Sequence, residues 1–130
     1  MRVIANLGAA ALVVLSVAGC ATQPIMNVND SVVATAQGKP ASKEQVHAAI
    51  VSAGGALGWQ MKDGGPDKIV GTLVLRGHTA VVDIPYSANK YSILYRSSVN
   101  LNESGGQIHK NYNGWIQNLS RGINTQVGLL

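Results

Sequence analysis

Residues 68–99 read KIVGTLVLRGHTAVVDIPYSANKYSILYRSSV, and this stretch decides the fold of the chain. It holds three runs rich in β-branched and aromatic residues, at 69–75, 79–86 and 91–99. Short polar segments between such runs indicate antiparallel hairpins. In the third run Tyr91, Ile93 and Tyr95 alternate with residues of the opposite face, as expected of a strand half exposed to water. The stretch therefore predicts a three-stranded antiparallel meander.

A helix is predicted on each side of this meander. Ser42 and Gln45 supply the hydroxyl and the amide of a capping box, which predicts a helix start. The glycines at 54, 55 and 58 end this helix before Trp59. Its apolar stripe consists of Val46, Ala49, Ile50, Ala53 and Leu57. The second helix, predicted from Asn111 to Val127 with Asn111 or Asn113 as its cap, has a stripe of Tyr112, Trp115, Ile116, Leu119 and Ile123.

Both apolar stripes must be buried, and a sheet face can bury them. We therefore expect an α+β fold for residues 42–130: a small two-layer domain in which the three-stranded meander is flanked by an N-terminal and a C-terminal helix on one face. Residues 20–41 show neither clean alternation nor helical spacing, which predicts a flexible tether. The alternative is that residues 25–33 add an edge strand to the sheet.

The N-terminus has the features of an export signal. Arg2 is followed by an apolar stretch without charge, and small residues come after it. The segment Val17-Ala18-Gly19-Cys20 resembles the lipobox of bacterial lipoproteins. That resemblance implies cleavage between Gly19 and Cys20, a diacylglycerol thioether on the Cys20 sulfur and acylation of the new amino terminus. Residues 1–19 are thus predicted to be a lipoprotein signal peptide, the alternative being a short membrane-spanning helix over residues 3–19.

Cys20 is the only cysteine of the chain, so an intramolecular disulfide and a cysteine-cluster metal site are excluded. We expect no cofactor besides the covalent lipid. Ala21, which follows Cys20, is not the aspartate that often retains lipoproteins at the inner membrane. The expected location is the cell envelope, with the protein anchored in the outer membrane and facing the periplasm.

Several segments of the chain resemble a family of small Gram-negative lipoproteins with a lipobox and an α-β-β-β-α mature domain. They are Gly58-Trp59, Arg76-Gly77-His78-Thr79-Ala80, Tyr91-Ser92-Ile93-Leu94-Tyr95 and the ending from Ile108 to Ile116. The resemblance implies lipidation and this order of elements. It supplies no catalytic residue.

Chemistry-bearing residues are sparse in the sequence. His78, His109 and Asp83 lack the close spacing of a metal motif, and no Gly-x-Ser-x-Gly elbow is present. We therefore expect no metal site, no catalytic residue and no enzyme. The alternative is a periplasmic domain that binds a small ligand or catalyses a reaction in a pocket of histidine, tyrosine and arginine.

A cluster of polar and aromatic residues is the candidate binding surface, for another envelope protein or a glycan. It comprises Arg76, His78, Tyr91, Tyr95, Arg96, His109, Asn111 and Asn113. The alternative is that the tyrosines pack beneath Trp59 and Trp115 while the asparagines satisfy backbone groups. The net charge of +4 is spread along the chain without a basic run, so nucleic acid is not an expected partner. The sequence predicts a non-enzymatic interaction or structural module on a lipid anchor.

Overall fold

In a computed structural model of the chain, residues 22–130 are described. The predicted signal peptide, its cleavage after Gly19 and the lipidation of Cys20 lie outside the described residues. Along residues 22–130 the elements are β1 Thr22–Pro24, β2 Val28–Val32, α1 Lys43–Ala56, β3 Gln60–Asp63, β4 Lys68–Leu75, β5 His78–Pro85, β6 Lys90–Val99, β7 Gln107–His109 and α2 Lys110–Gly128. No helix in this part of the chain is long and apolar enough to cross a bilayer.

The strands form a larger sheet than the sequence predicts. Five antiparallel strands lie in the order β2-β6-β5-β4-β3, and β1 pairs with β7 in a separate two-stranded sheet. The predicted fold, a three-stranded meander with both helices on one face, is therefore wrong. Neither edge strand shows a clear alternation of apolar and polar residues. Residues 60–63 (QMKD) hold one apolar residue, and residues 28–32 (VNDSV) contain a register shift between Val28 and Ser31.

The flexible tether predicted for residues 20–41 is wrong for its described N-terminal part. Thr22 already pairs with His109, and Val28 pairs with Ile93 in the main sheet. The alternative, an edge strand within residues 25–33, describes the structure. A side chain adds to this backbone pairing, since the amide oxygen of Asn27 accepts the Tyr95 N–H at 2.8 Å.

Helix α1 has the predicted start and stop. Ser42 accepts the Gln45 N–H at 3.1 Å, and the Gln45 side chain accepts the Ser42 N–H at 2.9 Å, which completes the capping box. At the other end the Gly58 and Trp59 amides donate to the Gly55 and Gly54 carbonyls. This Schellman arrangement requires the positive φ of 91° that Gly58 adopts.

Helix α2 begins differently from the prediction. Its N-cap is His109, whose Nδ1 accepts the Asn111 N–H at 3.1 Å. Asn113, one of the two predicted caps, lies inside the first turns and is buried. The N-cap is the residue directly before the first helical residue. Because β7 ends at His109 and the helix follows at once, His109 takes this position.

The core lies between the helices and one face of the main sheet. Alternate residues of β4, β5 and β6 enter it, because successive side chains of a strand point to opposite faces. The buried apolar residues of these strands and of the loop and strand before α2 are Ile69, Leu73, Ala80, Val82, Ile84, Tyr91, Ile93, Leu101 and Ile108. Those of the helices are Val46, Ala49, Ile50, Ala53, Tyr112, Ile116, Leu119, Ile123 and Val127.

Candidate functional surface

Three aromatic rings meet where β5 begins and α2 begins. The His78 ring stacks on the His109 ring with centroids 6.4 Å apart, and the Trp115 ring lies 6.5 Å from His78. Each histidine uses Nδ1 within the protein: His78 donates to the Asn100 carbonyl at 2.7 Å, and His109 accepts the Asn111 amide. These bonds assign the proton of neutral His78 to Nδ1 and that of neutral His109 to Nε2.

Arg76 lies beside this cluster at the tip of the β4–β5 hairpin. Arg76 and Gly77 have φ values of 52° and 78°, and the flanking residues Leu75 and His78 are strand partners. Two successive residues with positive φ make a type I′ turn, which matches the twist of the strands. The turn leaves the Arg76 side chain exposed.

Other predicted surface residues belong to the interior. Tyr91 is buried, and its hydroxyl contacts Asn124 Oδ1 at 2.7 Å and Ser120 Oγ at 2.9 Å. The Tyr95 ring packs edge-on against the Tyr112 ring at 5.6 Å. Asn113 is also buried, and it binds the backbone of residues 24 and 26 at 2.9 Å. These three residues stabilise the fold.

Arg96 lies on the second face of the sheet, away from the core. Its Nη1 is 3.5 Å from Asp83 Oδ1, and Lys68 Nζ is 3.7 Å from the same oxygen. Lys62 lies in the same sheet face, since it is the strand partner of Val70, which is in turn the partner of Asp83. We call this surface, with its half-buried apolar residues Val70, Val81 and Leu94, the open face.

The predicted surface residues therefore do not form one site. Of the eight, Arg76, His78, His109 and Asn111 lie together, Arg96 lies on the open face, and Tyr91, Tyr95 and Asn113 pack inward.

An open groove of about 600 Å³ lies between residues 26–28 and α2 and is lined by none of the eight. Among residues 22–130 no three His, Cys, Asp or Glu side chains are grouped as metal ligands would be. A second groove, of about 400 Å³, is lined by Asn111 and Asn113 but by none of the histidines, tyrosines and arginines of the eight.

Apolar residues outside the predicted binding surface surround the aromatic cluster. Leu57 among them was predicted to belong to the buried stripe of the first helix, which is wrong because it lies at the C-cap and is exposed. Leu57 is 43% exposed and Leu75 is 42% exposed, and together with Trp115 they line a cleft of about 170 Å³. Val74 and Val99, on the open face, border the same end of the molecule. The sequence contains one signal for this exposed surface, the pair Val74-Leu75 at a strand end. Two successive residues of a strand point to opposite faces, so these two apolar side chains cannot both enter the same core.

One end of the molecule thus combines exposed apolar, aromatic and cationic side chains. We call it the Thr22 end, because β1 begins there through the pairing of Thr22 with His109. It comprises Thr22, Leu57, Leu75, Arg76, His78, His109, Lys110 and Trp115.

Comparison with protein-family profiles, with curated proteins and with solved structures finds no match to this chain.

Proposed function

We propose that this protein is a lipid-anchored envelope lipoprotein whose domain is a non-enzymatic interaction module. The observation that carries the anchor is the segment Val17-Ala18-Gly19-Cys20 behind a charged and apolar N-terminus. A thiol is the group that accepts diacylglycerol, and two or more acyl chains hold a protein at a membrane far better than one. The outer membrane, facing the periplasm, is the proposed location.

The open face is the proposed interaction surface. Lys68 and Arg96 lie within 4 Å of the Asp83 carboxylate, and Lys62 lies two strands away on the same face, so around Asp83 the cations outnumber the carboxylate. Half-buried Val70, Val81 and Leu94 provide apolar contact area next to these charges. Such a combination suits a partner with acidic groups beside apolar ones, on an envelope protein or an anionic glycan.

The anchor is tested by lipid labelling. Cys20→Ser is expected to abolish incorporation of labelled palmitate and to move the protein from the membrane to the soluble fraction. The domain should remain folded, because Cys20 precedes the first strand. Palmitate labelling that persists in Cys20→Ser would contradict the anchor.

The open face is tested by photo-crosslinking in intact cells. A photoreactive residue at position 94 should form an adduct, and Arg96→Glu should weaken it by reversing a charge that attracts the partner. The control is a photoreactive residue at exposed Lys39, in the loop before α1. Adducts that form equally at both positions, or that are insensitive to Arg96→Glu, would count against this surface.

A further inference from the structure

The distance between the proposed anchor and the folded domain is short. Thr22 is held by its pairing with His109, and Ile25 N–H donates to the Gly106 carbonyl at 2.9 Å. Asn113 adds bonds to the Pro24 carbonyl and to the Met26 amide. Cys20 precedes Thr22 by two residues, which span at most about 7 Å. A lipid on Cys20 therefore leaves no tether that could hold the domain away from the bilayer.

That reach is comparable to the thickness of the headgroup layer, about 5–8 Å in each leaflet. The diacylglycerol of a lipidated cysteine has its glycerol at the inner boundary of the headgroup layer. The two residues that follow the cysteine are therefore only just long enough to cross this layer. The part of the domain nearest Thr22 must then contact the headgroups. His109, His78 and Trp115 are that part, because their rings form a continuous series from the strand partner of Thr22.

The side chains at the Thr22 end suit the membrane interface. The large apolar residues exposed by more than a third within residues 22–130 are Val32, Leu57, Val74, Leu75, Val99 and the C-terminal pair Leu129 and Leu130. Four of these seven, Leu57, Val74, Leu75 and Val99, belong to the Thr22 end or border it. Trp115 lies among them, and tryptophan is enriched at the headgroup level of membranes.

The distribution of charged side chains also favours the Thr22 end as the surface that contacts the bilayer. Arg76 and Lys110 are exposed at the Thr22 end, and neither has an ion-pair partner within residues 22–130. Of the six acidic residues, Glu44, Asp63 and Asp67 lie around the start of α1 at the opposite end, where Lys43 pairs with Asp67 and His47 with Asp63. Asp30 and Asp83 pair with lysines on the main sheet. Glu103 is the exception, because its loop begins at Asn100 and Leu101, whose carbonyls bind His78 and His109 of the Thr22 end.

We infer that the Thr22 end is a membrane-seating surface: Leu57, Leu75 and Trp115 enter the headgroup layer while Arg76 and Lys110 bind anionic lipid phosphates. The inference rests on the proposed anchor at Cys20. It adds that the domain has a defined orientation on the bilayer, with the start of α1 directed away from the lipid. Long cationic side chains suit this position, since their stems lie along apolar surface while the charge stays at the phosphates.

The test uses the lipidated protein, reconstituted into vesicles of phosphatidylethanolamine and phosphatidylglycerol whose acyl chains carry bromine near the headgroup. Trp115 emission should be quenched, and Trp115→Phe should reduce the quenching. The remaining tryptophan, Trp59, is only 4% exposed but lines the same cleft as Trp115, so Trp59→Phe is measured in parallel to obtain its share of the signal.

A matched pair of variants tests the orientation. Leu75→Asp places a charge on the seating surface and should reduce the quenching, whereas Val32→Asp places the same charge on an exposed apolar site of an edge strand, opposite Lys90, and should not. Lys110→Glu is a second variant that leaves the core untouched, and it should weaken the quenching in the presence of phosphatidylglycerol.

The possible failures are distinguishable. Mass spectrometry that finds no lipid on Cys20 would overturn the anchor and the seating with it. Lipid on Cys20 together with no quenching in wild type would overturn the seating and leave the anchor standing. A Leu75-dependent crosslinked dimer without bromine quenching would show that a second copy covers this surface, which also overturns the seating.

Discussion

Tyr91 and Tyr112 are both buried in the core, but their hydroxyl groups differ in hydrogen bonding. The Tyr91 hydroxyl has partners on α2, whereas the Tyr112 hydroxyl is buried with no hydrogen-bond partner among residues 22–130. A buried hydroxyl without a partner loses its hydration and gains nothing in return. Burial also raises the pKa of Tyr112 far above that of a free tyrosine, and nearby Tyr95 adds to the rise.

Replacing each tyrosine by phenylalanine should therefore have opposite effects on stability. Tyr112→Phe removes an unpaired hydroxyl and should raise the free energy of unfolding by about 1 kcal/mol, whereas Tyr91→Phe removes paired bonds and should lower it by about 1 kcal/mol. Urea denaturation of both variants beside wild type measures the difference. Destabilisation by Tyr112→Phe would mean that its hydroxyl is paired in solution.

Tyr112 should also shape the alkaline unfolding of the protein. Its pKa in the folded state lies above its unfolded value of about 10, so the unfolded state loses this proton first as the pH rises. The contribution of Tyr112 to stability is complete below that pH and declines above it. In Tyr112→Phe the free energy of unfolding should fall less steeply above pH 10 than in wild type, as measured by denaturation at a series of pH values; parallel curves would contradict this assignment.

At the scale of elements, one side chain of α2 holds the first strand in place. Asn113 accepts the Met26 N–H at 2.9 Å through Oδ1, and its Nδ2 donates to the Pro24 carbonyl at 2.9 Å. Strand β1 has three residues and one paired neighbour, β7, so it has few other contacts that would keep it ordered. The amide suits this position because it both donates and accepts.

Asn113→Leu should release β1 and the residues that follow it while leaving the main sheet intact. Losing two backbone bonds of about 1 kcal/mol each makes local opening easier by about 2 kcal/mol. Hydrogen exchange of the Ile25 and Met26 amides should become much faster, while the amides of β5 should be unchanged. Asn118→Leu, at an exposed position of the same helix, is the matched control. Unchanged protection of Met26 would contradict the role of Asn113.

At the scale of the whole molecule, the folded unit includes the strands of residues 22–32 as well as residues 42–130. Strand β2 covers the edge of β6, and four large apolar residues of this N-terminal segment pack against the core beside the small Ala41: Ile25, Met26, Val28 and Val33. Residues 42–130 alone would expose β6 as an unprotected edge and would uncover part of the core.

We therefore predict that residues 42–130 are less stable than residues 22–130. Four half-buried apolar side chains at about 1 kcal/mol each suggest a loss of about 4 kcal/mol, a large share of the stability of a small domain. Urea denaturation of the two fragments compares them directly, and the longer fragment should also unfold with the steeper transition. Equal stability would mean that residues 22–41 are a tether after all.

The sequence by itself determined the features that depend on neighbours within a few positions. The capping box of Ser42, the Gly58 helix stop, the strands between residues 68 and 99 and the helix stripes apart from Leu57 and Trp115 are such features, because caps and periodicity are local. The N-terminal signal and lipidation are local patterns as well, and they remain predictions.

Only the tertiary structure decided what depends on distant partners. The edge strand β2 forms because β6 offers it hydrogen bonds across some sixty residues of chain, although its own sequence is polar and bulged. Tyr91 and Asn113 are buried because α2 and β1 pack over them. The same kind of long-range pairing, Thr22 with His109, places β1 beside the aromatic cluster of His78, His109 and Trp115, which no local pattern of the sequence indicates.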